Sequence, residues 1–202
     1  MQHPDTPTPP KPWAIDLCCG LGGWTRGLLA AGFIVTGVDI KHFPTYPSHQ
    51  LTADVTKLDG TTLRGCRLIV ASPPCAEFSN ANPTTRTPGH RPDLSIIHAC
   101  YRIAREAQAP LVLENVHGAQ RWLGPATHHY GKQYLWGDGV PPLLPQGPRW
   151  KDKGKTRHRS PALRSLIPFD LAYAVANYHN PSPDTARSPL QTASPAGNHR
   201  QE

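Results

Sequence analysis

Residues 13–23 read WAIDLCCGLGG, in which an apolar run, Trp13 to Leu17, leads into two cysteines and a turn with three glycines. The apolar run is typical of a buried parallel strand, and the apolar positions of Trp24 to Ala31 suit a helix. Glycines between a strand and a helix let the backbone approach a ligand and let the helix pack closely on the sheet. The stretch therefore predicts the first strand, turn and helix of an α/β domain, although its glycines do not follow the GxGxxG dinucleotide pattern.

Short apolar runs alternate with segments of helical periodicity along the rest of the chain. The pattern predicts strands over 33–38, 50–55, 67–71 and 111–113, a helix over 94–108, and a last helix over 169–178 that opens at Pro168. Beyond residue 120 glycine and proline recur, which predicts loops and a short hairpin. Strands that alternate with helices predict one α/β domain with a mostly parallel sheet and a small irregular C-terminal part.

Composition separates a folded centre from two polar ends. A chain of 202 residues is long enough for one domain with a proper core. Many of its 24 prolines lie near the ends, and residues 181–202 have few large apolar side chains. We expect disordered tails over 1–12 and 181–202, and a single domain over 13–180.

Charge and cysteine use narrow the classes of function. The net charge is +7, and the basic segment 149–164 favours a polyanionic partner, although a solvated loop would have the same composition. The five cysteines include no CxxC pair and the eleven histidines lack metal-ligand spacing, so neither a disulfide framework nor a metal site is predicted. Without a signal peptide or an apolar span of about 20 residues, we expect a cytoplasmic monomer with no membrane association.

Cys75 closes the run SPPC over 72–75, directly after the predicted strand 67–71. Carboxyl ends of parallel strands are where α/β folds build their sites, so Cys75 can be a nucleophile, or simply a small half-buried residue. Glu114 and Asn115 follow the next strand and bring a carboxylate to the same edge. A cysteine and a glutamate in one pocket suit covalent attack on a ring that must be held or protonated.

Acidic residues stand at or next to the ends of the first three strands. Asp16 precedes the glycine turn, Asp39 could accept both hydroxyls of a ribose, and Asp54 could accept an adenine amino group. Each of them could instead cap a helix or form a turn. Their order along the chain favours a nucleoside-binding edge.

Three motifs resemble those of the DNA cytosine C5 methyltransferases. DLCCGLGG over 16–23 resembles the family's DLFCGxGG element, with Cys18 where Phe is usual. SPPCAEFS over 72–79 is similar to its PPCQxFS nucleophile loop, with Ala76 in place of Gln, and 113–116 matches its ENV element. The resemblance covers roughly 13–118 and implies a Rossmann-like, class I methyltransferase fold that uses S-adenosylmethionine.

The resemblance also implies a mechanism. Cys75 would add to C6 of a flipped-out cytosine while Glu114, beside Asn115, holds N3 and the exocyclic amine, so that C5 accepts the methyl group. An ordinary thiol is only a few per cent ionised at neutral pH, so we expect positive charge or oriented N–H groups around Cys75. The cofactor positions implied in this way are Asp16, Leu17, Cys18, Gly20, Gly22, Gly23, Asp39, Ile40, Asp54, Val55 and Pro74.

The resemblance fades after residue 120. Tyr130, Gly131 and Gln133 only faintly match the family's QxRxR element, whose arginines are missing there; Arg157 and Arg159 are candidates to replace them as contacts to cytosine O2 or to phosphate.

The second half of the chain leaves little room for reading a sequence. About fifty residues separate Glu114 from Pro168, too few for a full-size target recognition domain. We therefore expect 119–180 to be a reduced recognition and closing region, DNA to bind the segment 149–164, and sequence specificity to be relaxed. Methylation of RNA cytosine and a catalytically inert nucleic-acid-binding module stay open as alternatives.

Overall fold

A seven-stranded sheet organises the computed structural model, which describes residues 10–79, 82–147 and 166–180. The strands are β1 (Trp13–Leu17), β2 (Ile34–Asp39), β3 (His49–Thr52), β4 (Leu68–Ala71), β5 (Leu111–Asn115), β6 (His128–Tyr130) and β7 (Gln133–Trp136). The helices are α1 (Gly23–Ala30), α2 (Ser95–Ala107), the short α3 (Gln120–Leu123) and α4 (Phe169–His179). None of the helices in these described ranges is long and apolar enough to cross a membrane.

The strand order is β3-β2-β1-β4-β5-β7-β6, and every pairing from β3 to β5 is parallel. β7 runs antiparallel to β5 and forms a hairpin with β6. The chain order reverses between β1 and β4, and in open α/β sheets such a switch point opens a crevice at the carboxyl ends of the strands. The predicted α/β class with a mostly parallel sheet is confirmed.

Helices cover the sheet on both faces because the strands are apolar on both sides. One buried cluster joins α2 to side chains such as Ile15, Ile69 and Leu113. The other joins α1 and α4 to the alternate side chains, among them Leu68 and Val112. Two apolar layers therefore hold the strand ends in fixed positions.

The contact between α1 and α4 depends on a glycine. A Cβ on Gly27 would lie 2.5 Å from the Cβ of Ala172, so the two helices approach closely only because position 27 has no side chain. Gly32, at φ 86, follows the end of α1, as the sequence predicts.

Two strand boundaries differ from the prediction by more than one residue. The strand predicted over 50–55 ends at Thr52, because the Asp54 carboxylate accepts the Thr56 backbone N–H at 2.9 Å and starts a 3-10 turn over Val55–Lys57. The strand predicted over 111–113 continues to Asn115, because β7 pairs with it as far as Asn115. Glu114 therefore lies within the sheet and not in a loop after it.

The predicted hairpin is present, but as two edge strands of the main sheet. This placement could not be predicted, because three- and four-residue strands carry little periodicity. The predicted tails, except residues 10–12, and the whole basic segment 149–164 lie outside the described residues.

Candidate active site

The Cys75 loop is fixed to the neighbouring strand by Asn115. The buried Asn115 side chain donates from Nδ2 to the carbonyl oxygen of Pro73 at 3.1 Å, and its Oδ1 accepts the Val116 backbone N–H at 2.9 Å. Cys75 is half-buried, and its carbonyl oxygen accepts the Phe78 N–H at 3.0 Å. Asn115, predicted as a site residue, thus places the cysteine loop against the end of β5.

Glu114 lies on β5 beside this loop. Burial raises the pKa of Glu114 to about 7, while a hydrogen bond from Ser72 and the charge of Lys132 act in the opposite direction. Near neutral pH a large fraction of this carboxyl is therefore protonated, and only a protonated carboxyl can donate a hydrogen bond.

Cys75 and Glu114 are brought together as predicted. Burial and then the charge of Glu114 raise the pKa of the Cys75 thiol, and the charge of Lys132 lowers it in part. The positive charge expected near Cys75 is present in Lys132, but it does not outweigh burial. The cysteine is accordingly a thiol at neutral pH in the free protein.

Sequence reasoning missed Lys132. It lies in the tight turn between β6 and β7, and because β7 runs antiparallel to β5, this turn lies at the same edge as the carboxyl end of β5. Tyr130 and Gln133, which the sequence analysis considered, are both buried. The sequence does show a lysine between these two residues, but only the pairing of β7 with β5 shows that Lys132 lies at the edge of the sheet where β5 ends.

The glycine turn after β1 has one open side. A Cβ on Gly20 would meet no atom within 4 Å, whereas a Cβ on Gly22 would lie 2.6 Å from Pro47 and one on Gly23 would lie 2.6 Å from the backbone of Ile167. Gly22 and Gly23 therefore permit close packing, and Gly20 leaves room for a ligand. The Asp39 carboxylate, at the end of β2, accepts the Gly20 backbone N–H at 3.0 Å.

Asp16 lies under this turn and not at its surface. Its side chain is 1% exposed, and Oδ2 accepts a hydrogen bond from the Thr25 hydroxyl at 2.6 Å, while Oδ1 has no partner among the described residues. Thr25 also bonds the Tyr46 hydroxyl. Burial raises the pKa of Asp16 to about 7, and the side chain contacts Thr25 in the helix that follows the turn.

The other predicted cofactor positions divide by exposure. Ile40 is 68% exposed directly after Asp39, and Pro74 is exposed beside Cys75. Asp54 caps its 3-10 turn next to the end of β3. Leu17 and Val55 belong to the core, and the free thiol of Cys18, at φ 55, forms a hydrogen bond with the free thiol of Cys100 in α2.

A cavity of about 590 Å³ is lined by residues that follow Cys75 and β5 in the sequence, but not by Cys75 or Glu114 themselves. Glu77 and Phe78 come after Cys75 in the sequence, and Gly118, Arg121 and Trp122 come after β5. It is lined by Glu77, Phe78, Thr85, Thr87, Pro88, Gly89, His90, Arg91, Gly118, Arg121 and Trp122. The Arg121 guanidinium lies 5.2 Å from the centre of the Trp122 ring. Cations and aromatic rings are the groups that contact phosphates and unstacked bases.

Arg157 and Arg159, and the basic segment 149–164 to which they belong, lie outside the described residues. Their assignment as contacts to cytosine or phosphate remains a prediction.

Comparison with known proteins supports the motifs. The sequence profile of the family described as C-5 cytosine-specific DNA methylase matches residues 13–122, just over half of the chain. The chain belongs to this family. The matched stretch contains the glycine turn, Cys75 and Glu114, and it ends at Trp122 of the cavity.

Individual relatives are distant and longer. The type II methylase M.HgiDII of Herpetosiphon aurantiacus is 28% identical over 116 residues, which cover 50% of this chain and 32% of that protein. A candidate DNA modification methyltransferase encoded within an E. coli prophage is 27% identical, with a TM-score of 0.41 over 56% of this chain and 34% of that chain. The methyltransferase EhMeth of Entamoeba histolytica is 16% identical, with a TM-score of 0.43 over 55% of this chain and 40% of that one. The chain thus spans about a third of the length of the curated relative.

Proposed function

We propose that this protein transfers a methyl group from S-adenosylmethionine to C5 of cytosine in DNA, through a covalent adduct between Cys75 and C6. The observation that carries the proposal is the pair of Cys75 and Glu114 at the ends of adjacent parallel strands, close enough for Glu114 to raise the pKa of Cys75. Membership of the family supports the same chemistry.

The residues at the open edge fit the cofactor. The space in front of Gly20 admits a ligand, the Asp39 carboxylate can accept ribose hydroxyls, and the exposed Ile40 offers an apolar surface to an adenine ring. When bound there, S-adenosylmethionine supplies the methyl group. Asp16, buried under the turn, positions the turn through Thr25.

Cys75 and Glu114 would share the work on the base. The Cys75 thiolate forms the bond to C6, and a proton from Glu114 at N3 lets the electron pair of the ring collect at C5, which would then take the methyl group and release S-adenosylhomocysteine. Water accepts the C5 proton, and the electrons of that bond restore the ring double bond and break the bond from C6 to sulfur, which regenerates the thiolate. N3 returns its proton to the Glu114 carboxylate.

Lys132 is the cation that we assign to this step among the described residues. Its charge favours the Cys75 thiolate, and its position at the edge lets it contact the O2 oxygen or a phosphate of the extruded nucleotide. The cavity, with Arg91, Arg121 and Trp122, would hold the flanking strand. Because only about fifty residues separate Glu114 from Pro168, we propose that specificity is relaxed.

Methyl-labelled S-adenosylmethionine tests the function. The protein is incubated with double-stranded DNA, single-stranded DNA and RNA, in parallel with Cys75→Ala and, as a matched control, Cys66→Ala, which changes a buried cysteine outside the site. We expect DNA to be methylated by the parent and by Cys66→Ala, and Cys75→Ala to be inactive. DNA that contains 5-fluorocytosine should trap a covalent adduct, because fluorine at C5 blocks release.

The outcomes separate the alternatives. Transfer by Cys75→Ala would refute the covalent mechanism. Transfer to RNA alone would assign the activity to RNA, and the absence of transfer to every substrate would favour an inert binding module. Bisulfite sequencing of methylated DNA should show at most a short context around each cytosine, and a long fixed motif would overturn the proposal of relaxed specificity.

A further inference from the structure

Glu114 is connected to the helix that follows the glycine turn. Trp24, in the first turn of α1, is 1% exposed, and its indole N–H donates to the Ser72 hydroxyl oxygen at 3.0 Å. Ser72 directly follows Ala71, which pairs with Leu113 in the parallel register of β4 and β5, so Ser72 and Glu114 are neighbours across the two strands, and a hydrogen bond from Ser72 lowers the pKa of Glu114. Three elements that are distant in sequence, α1, β4 and β5, thus meet in one chain of hydrogen bonds.

We propose that Trp24 and Ser72 are positioning residues that orient Glu114 and tune its protonation. This inference depends on the proposed function in one respect, namely that Glu114 acts in catalysis. The geometry itself, from Trp24 through Ser72 to Glu114, is independent of the reaction.

The chemistry of the donors sets the direction of these two hydrogen bonds. An indole N–H can only donate, so the Ser72 oxygen is the acceptor of that bond. With one lone pair of the hydroxyl used in this way, its own proton is directed at Glu114. A donor aimed at a carboxyl favours the ionised form, which opposes the effect of burial.

The charged and titratable groups that face Glu114 from the described elements packed around it are few. Lys132 approaches from the turn between β6 and β7, and Cys75 from the loop after β4. Lys132 acts on both Glu114 and Cys75, whereas the Ser72 bond is made to Glu114. The hydrogen bonds therefore act directly on the acid and reach the nucleophile only through the charge of Glu114, and they tie the acid to the helix next to the cofactor turn.

The test measures the protonation of Glu114 without activity. The chain has four glutamates, Glu77, Glu106, Glu114 and Glu202, so ¹³C-glutamate labelling gives few side-chain carboxyl resonances, and Glu114→Gln assigns the one of interest. The titration is repeated in Ser72→Ala, Ser72→Thr and Trp24→Phe. The matched control is Trp13→Phe, which removes an indole N–H that donates to Thr36 at 3.3 Å, far from Glu114.

We expect Ser72→Ala to lower the acid dissociation constant of Glu114 by about tenfold, since hydrogen bonds to charged groups are the stronger ones. Trp24→Phe should shift it in the same direction by less, because Ser72 can then rotate, while Ser72→Thr and Trp13→Phe should leave it near the parent value. Benzothienylalanine at position 24 keeps the ring size without the N–H and replaces Trp24→Phe if that variant does not fold.

An unchanged titration of Glu114 in Ser72→Ala, or equal effects of the changes at Trp24 and Trp13, would overturn the proposal. Since the titration uses the free protein, this result is distinguishable from a failure of the proposed methyl transfer. In the methylation assay a positioning role predicts that kcat falls in Ser72→Ala although more of Glu114 is protonated, because the carboxyl is no longer held in its orientation. KM for DNA should change little, and Ser72→Thr should recover kcat.

Discussion

The pH dependence of the proposed methylation is the most direct test of how Cys75 and Glu114 are protonated. At its ordinary pKa of 4.5, Glu114 would be only ~0.3% protonated at pH 7. With the pKa raised to about 7, half of the molecules carry the proton. Burial thus increases the protonated acid more than a hundredfold.

Cys75 has the opposite requirement. Its pKa is raised above 9.0, so the thiolate is scarce where Glu114 is protonated. Between the two pKa values the dominant form has a Cys75 thiol and an ionised Glu114. The active form, with an ionised Cys75 and a protonated Glu114, is a minor form that also holds one proton, so the ratio of the two forms does not change with pH. The rate should rise with pH up to about 7, stay level, and fall once the pH exceeds the pKa of Cys75.

Single-turnover rates from pH 5.5 to 10 check this expectation. In Glu114→Gln only the ionisation of Cys75 remains, so the break near pH 7 should disappear and the rate should continue to rise toward higher pH, at values reduced by about 10²–10³-fold near neutrality.

Asp16 is the necessary control because its pKa is also about 7. Asp16→Asn should keep the break near pH 7. A break that survives Glu114→Gln and is lost in Asp16→Asn would refute the assignment of the acid to Glu114.

Three further predictions follow from single contacts. Asp54 and Asp59 each cap a 3-10 turn by accepting the backbone N–H of the residue two positions later, so Asp54→Ala and Asp59→Ala should lower stability by similar amounts. Only Asp54→Ala should raise the Kd for S-adenosylmethionine several-fold in calorimetry. Equal Kd values for the two variants would show that Asp54 does not bind the cofactor. Gly27→Ala should lower the free energy of unfolding in urea by about 1–2 kcal/mol, since overpacking against Ala172 exceeds the gain in helix propensity, and a stabilised variant would contradict the close contact. The raised pKa of Asp16 means that its contribution to stability is present below about pH 4 and lost as the pH rises to about 7. In Asp16→Asn the loss of stability between pH 5 and pH 8 should therefore be smaller by about 2–3 kcal/mol, and an unchanged difference would show that Asp16 is ionised throughout.

Local sequence patterns were enough to predict the class of fold and the segments that carry Cys75 and Glu114, although not the end of β5. Apolar runs and the glycines of 20–23 are local patterns, and strand and helix periods can be detected over a few consecutive residues. The same holds for Cys75 and Glu114, because each follows or ends an apolar run that a parallel sheet must bury.

Tertiary structure decided how these strand ends are connected. The order of β1, β4, β5 and β7 places Ser72 between Trp24 and Glu114 and brings Lys132 to the edge beside Cys75. It also moves Asp16 beneath the turn that it precedes. Contacts of this kind join residues that are tens of positions apart, and they depend on strand pairing and burial, which no local pattern specifies.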